Sequence, residues 1–484
     1  MPTKRDALLA LLLLVTAVLV PSTATADDAA YPPPAPPEDT SKFGENYQRT
    51  MTLLATSTPE RHHKVKILFY GQSITGGTWW NRVADDLRTR FPNADLEITN
   101  RAIGGFASQI LYRVAEHDVY PYYPDLVIFH VYGAHTCYED LIATIRRRTA
   151  AEVVIWTDHL GAGETLNEAG VYEDQGWTKF MAGFLPATAE KYDCGFIEIR
   201  EPWKKYLLEN HLKPPALLKD GIHPNDHGGY LIAQLLQRQL VYRPDLGFGP
   251  SEGLVKEYVV GEDVQWKDGV LELPFDGNRV DLIPAAHTDD RGTDNRNPSD
   301  RRAVEVRIDG KRPSEFSGCY AHTRPSTGHG TWGPGAMRVT FQARPLVEDW
   351  KVRVTEFDKA TKVFRFEAIG SQTGSDGEGV SSEDFVSNSG RVVIKAHVKP
   401  PGVPEQTDWR MEGEIPVGYE IRWKTVGMFQ DSYEPPVVTD TTREHATTIA
   451  QGFPNGKHTV TLTSPPDTTA SIRAVRVYRP PLAP

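Results

Sequence analysis

Residues that together can break an acyl bond stand far apart in this chain, each where a turn would expose it. Ser73 lies in Lys64-Val-Lys-Ile-Leu-Phe-Tyr-Gly-Gln-Ser-Ile-Thr-Gly-Gly77, where a run of apolar strand formers, Ile67 to Tyr70, stops at Gly71. Thr75-Gly76-Gly77 then hands over to Trp79-Trp80-Asn81-Arg82-Val83-Ala84-Asp85-Asp86-Leu87, which has helical spacing. The pattern puts Ser73 at the carboxyl end of a strand, in a tight turn before a helix. In open parallel α/β sheets that edge is where ligands bind. The amino end of a helix also offers N–H groups and a partial positive charge to a developing oxyanion. A serine so placed becomes a nucleophile when a base reaches it.

A base is offered by Lys219-Asp-Gly-Ile-His-Pro-Asn-Asp-His-Gly-Gly-Tyr230. Asp220 and His223 are three apart, stiffened by Pro224, ahead of a helical pattern through Leu231, Leu235, Leu236 and Leu240. A carboxylate at that spacing can hold an imidazole's orientation and tautomer while the other ring nitrogen takes a proton from a serine. Neither piece is specific alone. Gly-x-Ser turns are common, and a helix-capping Asp beside a surface His is spelled the same way.

With both ends in view, the chain resembles the SGNH (GDSL-like) hydrolase family, carbohydrate-esterase type, whose members carry four short blocks in a fixed order. The first block is matched by Gly71-Gln72-Ser73, with Gln where the family's name has Asp. The second is matched by Asn100-Arg-Ala-Ile-Gly-Gly-Phe-Ala-Ser108, which puts the family's oxyanion glycine at Gly105. The third is matched by Val131-Tyr-Gly-Ala-His-Thr136, where Gly133 fits and His135 takes the usual Asn position. The fourth is matched by Asp220-Gly-Ile-His223. The resemblance covers about residues 64–245. It implies Ser73 as nucleophile, His223 as base, Asp220 as its orienting acid, and an oxyanion hole of the Ser73 and Gly105 N–H groups with the side chain of His135. Gln72 replaces a residue with no essential chemical role. A neutral imidazole offers one donor nitrogen, chosen by its surroundings, and His135 is expected to turn that donor toward the oxyanion.

These residues need a scaffold that brings strand ends together. Buried runs such as Leu126-Val-Ile-Phe129 and Val153-Val-Ile-Trp156, each followed by a polar loop, suit a parallel sheet covered on both faces. Strands are predicted at 95–99, 125–131, 152–157 and 195–199, and helices between them at 106–116, 138–148 and 177–192. Right-handed crossovers make this a doubly wound α/β fold, three-layered as in the SGNH type, over residues 64–249. Ser73, Gly105 and His135 each follow a predicted strand and so converge on one edge. Gly-x-Ser-x-Gly is absent, because position 75 is Thr, which disfavours the other common serine-esterase fold.

Beyond Pro250 the period changes. Short alternating runs recur at Val304–Ile308, Lys351–Val354, Val363–Phe366, Tyr419–Trp423, His458–Leu462 and Ile472–Tyr478, separated by turn pairs such as Asp276-Gly277, Asp309-Gly310 and Asn455-Gly456. Residues 250–484 therefore read as an all-β sandwich of jelly-roll-like type. It resembles the accessory sandwiches of secreted carbohydrate-active hydrolases. Two long polar segments interrupt it, His287–Arg302 and Ser314–Pro334. The second carries Tyr320, His322, Arg324, His329 and Trp332, which suit stacking on a sugar ring and bonding its hydroxyls. A surface loop packed on its own Trp fits the same letters. Trp79 is a further candidate for a sugar subsite, with helix packing as the alternative. Ser371–Asn388, rich in Gly and Ser, reads as a mobile loop.

Met1–Ala26 has a charged start, an apolar core from Ala7 to Val20 and an Ala24-Thr25-Ala26 cleavage signal, the pattern of a secretory signal peptide. Residues 27–63, with Tyr31-Pro-Pro-Pro-Ala-Pro-Pro37, read as an extended Pro-rich tether. Loss of the leader takes the net charge from −11 to −12, which argues against nucleic acid or an anionic membrane as partner. Arg146-Arg147-Arg148 reads as the solvated side of a helix and His62-His63 as exposed linker. Three cysteines make no disulfide scaffold, although Cys137 and Cys194 share the first domain and could pair in an oxidising compartment. No metal-binding spacing occurs, and the chemistry implied needs no cofactor.

The expectation is a secreted or periplasmic serine ester hydrolase that removes O-acyl groups, above all O-acetyl, from a polysaccharide or oligosaccharide. Two alternatives stay open. One is the same fold acting on a glycosidic linkage, as a hydrolase or lyase. The other is a carbohydrate-binding protein without turnover, for which Ser73, Asp220 and His223 together would be superfluous.

Overall fold

The computed structural model describes residues 30–285, 303–327, 335–410, 414–465 and 470–483. The leader, the segment His287–Arg302, His329 and Trp332 lie outside them.

In chain order the first part of the protein is built from α1 (Gln48–Ala55), β1 (Lys64–Gly71), α2 (Trp79–Arg90), β2 (Asp95–Asn100), α3 (Ser108–Asp118), β3 (Leu126–His130), α4 (His135–Arg148), β4 (Glu152–Trp156), α5 (Gly176–Lys191), β5 (Gly195–Ile197), α6 (Arg200–Glu209) and α7 (Asp226–Gln237). The strands form one parallel sheet in the order β2-β1-β3-β4-β5. Alternate residues of β1 feed two separate cores, as the two-residue period of a strand requires. Val65, Ile67 and Phe69 pack with Trp79 and Val83 of α2, Trp203 of α6 and Leu231 and Leu235 of α7. Leu68 and Tyr70 pack with Leu111 and Val114 of α3, Leu141 of α4 and Leu185 of α5. The result is a doubly wound three-layer α/β fold. Because the chain runs outward from β1 to β2 and returns to β3 on the other side, a crevice opens between the carboxyl ends of β1 and β3.

The segment before β1 differs from the extended tether expected. Tyr47, Met51 and Leu54 belong to the core beneath the sheet. The Glu152 carboxylate accepts the N–H groups of Arg49 and Thr50 at 3.0 and 2.8 Å, a negative charge at the amino end of α1. Buried Arg49 pairs with Asp125 at 3.1 Å. Further upstream the Tyr31 ring stacks on His227 at 4.2 Å, and the Tyr206 hydroxyl donates to the carbonyl of Pro32 at 2.9 Å. The prolines thus lie on α6 and α7, fixed by an aromatic stack that their composition does not announce. His63 is also buried, next to this segment.

The C-terminal part is antiparallel. One sheet is centred on the long strands Val270–Pro284 and Thr447–Thr463, flanked by Val304–Ile308 and Ile472–Tyr478. The other has Asp349–Phe357 between Phe364–Gly370 and Glu420–Gly427. Leu271, Val306, Val460 and Leu462 form the core of the first, and Trp350, Phe366, Trp409, Ile421 and Trp423 that of the second. The expected mobile loop 371–388 contains a strand, Gly374–Val380, paired with Phe364–Gly370. Its glycines hid it, since they supply no side chains for an alternating pattern.

The three cysteines are free and buried, so Cys137 and Cys194 are unpaired. The Arg146–Arg148 run is solvated only in part, with Arg148 exposed. Arg146 is buried and donates to the carbonyl of Ala151 at 2.8 Å, while Arg148 pairs with Glu116. Among the described residues no helix is long and apolar enough to cross a membrane.

Candidate active site

The carboxyl ends of β1 and β3 and the loop before α7 meet at one place. Ser73 follows β1 by two residues and is half-buried. Its Oγ lies 2.8 Å from Nε2 of His223, 150 residues away. Nδ1 of His223 lies 2.8 Å from Oδ2 of Asp220. The other carboxylate oxygen of Asp220 accepts the N–H groups of His223 and Ile222 at 2.8 and 2.9 Å. Those two N–H groups, with the His223 ring, hold the exposed Asp220 carboxyl well below its usual range, so it is ionised. An ionised Asp220 fixes the proton of His223 on Nδ1 and leaves Nε2 as the acceptor facing Ser73. The loop itself is braced. The N–H of Lys219 bonds the carbonyl of His223 at 2.9 Å, and Asn225 caps α7 by accepting the N–H of Gly228 at 3.0 Å.

No protein-family model and no curated protein matches the chain. Solved structures similar to it include an acetyl xylan esterase, AlAXEase, 23% identical, with a TM-score of 0.33, over 37% of this chain and 100% of that one. The acetylxylan esterase Axe2 of Geobacillus stearothermophilus is 18% identical, with a TM-score of 0.32, over 38% of this chain and 97% of its own. A two-domain esterase, CEX, active on acetylated mannans, is 14% identical, with a TM-score of 0.35, over 90% of this chain and 96% of that one. At TM-scores of this size the likeness carries no argument for what this chain does.

The remaining expected site residues fall into three groups. Gly105, exposed, adopts the left-handed conformation at φ +71°, which suits glycine at the tight turn before α3. His135 is the first residue of α4 and lies on the same edge. Its ring is exposed and sits edge-on to Phe180 and Phe184 of α5, at 5.1 and 5.7 Å between centroids. Trp79 is core rather than subsite: it is 2% exposed, and its indole donates to the carbonyl of Ile74 at 2.6 Å, which braces the turn that carries Ser73.

Tyr320, His322 and Arg324 also do something other than face a sugar. Arg324 binds the Asp118 carboxylate with two nitrogens, His322 is 3% exposed with its carbonyl accepting from Nδ1 of His117 at 2.8 Å, and the Tyr320 hydroxyl donates to the carbonyl of Ser314 at 2.9 Å. Arg324 and His322 fasten the β part to α3, while the Tyr320 bond stays within the β part. A long polar segment reads alike whether its charges meet solvent, ligand or another domain. A cavity of about 340 Å³ between the two parts, lined by Tyr120, Arg148, Tyr320 and Gln451 among others, lies at the opposite edge of the sheet from Ser73.

Other residues at the site were given no role from the sequence. Gln72, 2% exposed, accepts the N–H of Ile74 through Oε1 at 2.9 Å, and the same oxygen is 2.9 Å from Ser73 Oγ. His130 ends β3, buried, stacked on Trp156 at 3.9 Å, with Nε2 2.7 Å from Asp158. His159 donates from Nε2 to the carbonyl of Ile222 at 2.6 Å, supporting the loop that carries His223. From the β part, the carbonyl of Pro401 accepts from Thr136 beside His135, and the Arg410 guanidinium lies 4.6 Å over the Phe106 ring next to Gly105. A signal for the histidines existed: polar titratable residues ending neighbouring buried strands, Phe129-His130 and Trp156-Thr157-Asp158-His159, are unusual in such company.

Proposed function

We propose that the protein is a carboxylic-ester hydrolase of SGNH type that removes O-acetyl groups from a polysaccharide or oligosaccharide after export from the cell. The observation that carries the reading is the unbroken line from Asp220 Oδ2 through His223 to Ser73 Oγ, with both links at 2.8 Å. In this reading Ser73 Oγ attacks the ester carbonyl while His223 Nε2 takes its proton. Asp220 stabilises the imidazolium that results. The N–H groups of Ser73 and Gly105 and the side chain of His135 hold the tetrahedral oxyanion. One such donor typically lowers the barrier by ~3 kcal/mol. Collapse releases the sugar alcohol, protonated by His223, and leaves acetyl on Ser73. Water, deprotonated by His223, then frees acetate and regenerates the serine. No cofactor enters.

Acetyl on a sugar is favoured by the signal-peptide pattern, by the Gly71-Gln72-Ser73 block and by the β-sandwich that follows the α/β part. Assay of acetate and of new reducing ends in the same tubes, on acetylated xylan and mannan, tests the bond type. Acetate without reducing ends, abolished by Ser73→Ala, is the expected result. Reducing ends without acetate would place the chemistry at the glycosidic bond.

A further inference from the structure

We propose that Asp158 and His130 form a second carboxylate–imidazole pair that positions the nucleophile through Gln72. The inference rests on the reading of Ser73 as nucleophile and adds positioning residues to it.

The hydrogen-bond senses follow from one fixed donor. The backbone N–H of Ile74 needs an acceptor, and Gln72 supplies Oε1 at 2.9 Å. That settles which way the Gln72 amide faces. Its NH₂ group therefore points at Nδ1 of His130, 3.5 Å away, the outer limit of a hydrogen bond. To receive it, Nδ1 must carry no proton, so the ring proton resides on Nε2 and is donated to Asp158 at 2.7 Å. The ring is held in this line: the residue is 2% exposed and the ring stacks on Trp156.

The consequence reaches Ser73. Gln72 Oε1 closes a side-chain turn on the N–H of Ile74 and keeps its second lone pair toward Ser73 Oγ. The hydroxyl is thereby held between Oε1 and His223 Nε2, at 2.9 and 2.8 Å. With the amide free to flip, its NH₂ would meet the N–H of Ile74, donor against donor. The turn would loosen, and with it the rotamer of Ser73. Positioning of this kind acts on the chemical step rather than on substrate binding.

The test uses the full-length protein and diisopropyl fluorophosphate, a probe that needs a competent serine but no sugar. Ser73 Oγ displaces fluoride from phosphorus, its proton passing to His223. Wild type should label at Ser73. His130→Met keeps bulk but replaces the imidazole nitrogen with a thioether, a weak acceptor, and should label, and turn over acetylated oligosaccharide, ~10- to 100-fold more slowly with KM little changed. His130→Gln offers an acceptor and a donor in similar places and should recover most of the loss. Asp158→Ala, at a more exposed side chain, should slow labelling in the same direction even where His130→Met fails to fold.

Equal labelling rates for wild type, His130→Met and Asp158→Ala would overturn the proposal. So would a folded His130→Gln as slow as His130→Met. Absence of labelling in wild type would instead remove Ser73 as nucleophile and this role with it.

Discussion

Ser73 Oγ has two acceptors in reach, and the difference between them is chemical: His223 can keep a proton, whereas the Gln72 amide can only share one. In the proposed mechanism this difference makes His223 the base and leaves Gln72 as a resting partner. The Ser73, Asp220 and His223 types and spacing were legible in the sequence because the chemistry restricts them to few residue kinds in fixed order. The part of Gln72 was not legible. The resemblance assigns its position no chemistry, and its partner His130 is 58 residues away across the sheet. For His135 the sequence implied an oxyanion donor, and the structure gives its ring two aromatic neighbours. The proposed role as third donor predicts that His135→Ala lowers kcat by ~10²-fold with little change in KM. Steady-state kinetics on an acetylated oligosaccharide check this, and unchanged turnover would take His135 out of the hole.

Among elements, the long buried strands were the most legible. β3 and β4 are near-continuous apolar runs because helices cover both faces, and their predicted limits fall within a residue of the observed ones, whereas β1 begins at Lys64, three residues before the apolar run Ile67–Tyr70. α1 was missed. Its eight residues, Gln-Arg-Thr-Met-Thr-Leu-Leu-Ala, are too short a window to show a helical period, and its stability comes from tertiary partners such as Glu152 rather than from its own sequence. The packing predicts a measurable cost. Met51 is 1% exposed in the main core, so Met51→Ala should lower unfolding free energy by about 2–5 kcal/mol, read from urea midpoints. A change within error would mean that the segment before β1 is a tether after all.

At the scale of the whole molecule, the α/β part and the antiparallel part are bolted together through α3. Arg324 pairs with Asp118, Arg113 with Asp408 at 3.1 Å, and His117 lies between the carbonyl of His322 and the N–H of Val339. The existence of two parts was legible from the change of period near Pro250. Their interface was not, because its charges look like surface.

The interface also sets a pH dependence. Burial, with His117 nearby, pushes the His322 imidazole down to about 3, and burial lowers His117 as well. Histidines in the unfolded chain titrate near ~6.5. Below that pH the unfolded chain binds more protons than the folded one, so this stability is complete above about pH 6.5 and is lost as pH falls toward 3. Melting temperature should therefore drop from pH 6.5 to 4.5, and less steeply in His322→Phe. Parallel slopes would contradict the account.

In the proposed reaction Ser73 carries the acyl group between sugar and water, and that intermediate can be trapped. Wild-type protein mixed with an acetylated oligosaccharide, quenched in acid within the first turnover and digested, should yield an acetylated peptide containing Ser73 that disappears as substrate is exhausted. Ser73→Ala should yield neither that peptide nor acetate. Acetate released by Ser73→Ala, or by wild type with no acetyl ever found on Ser73, would contradict the account.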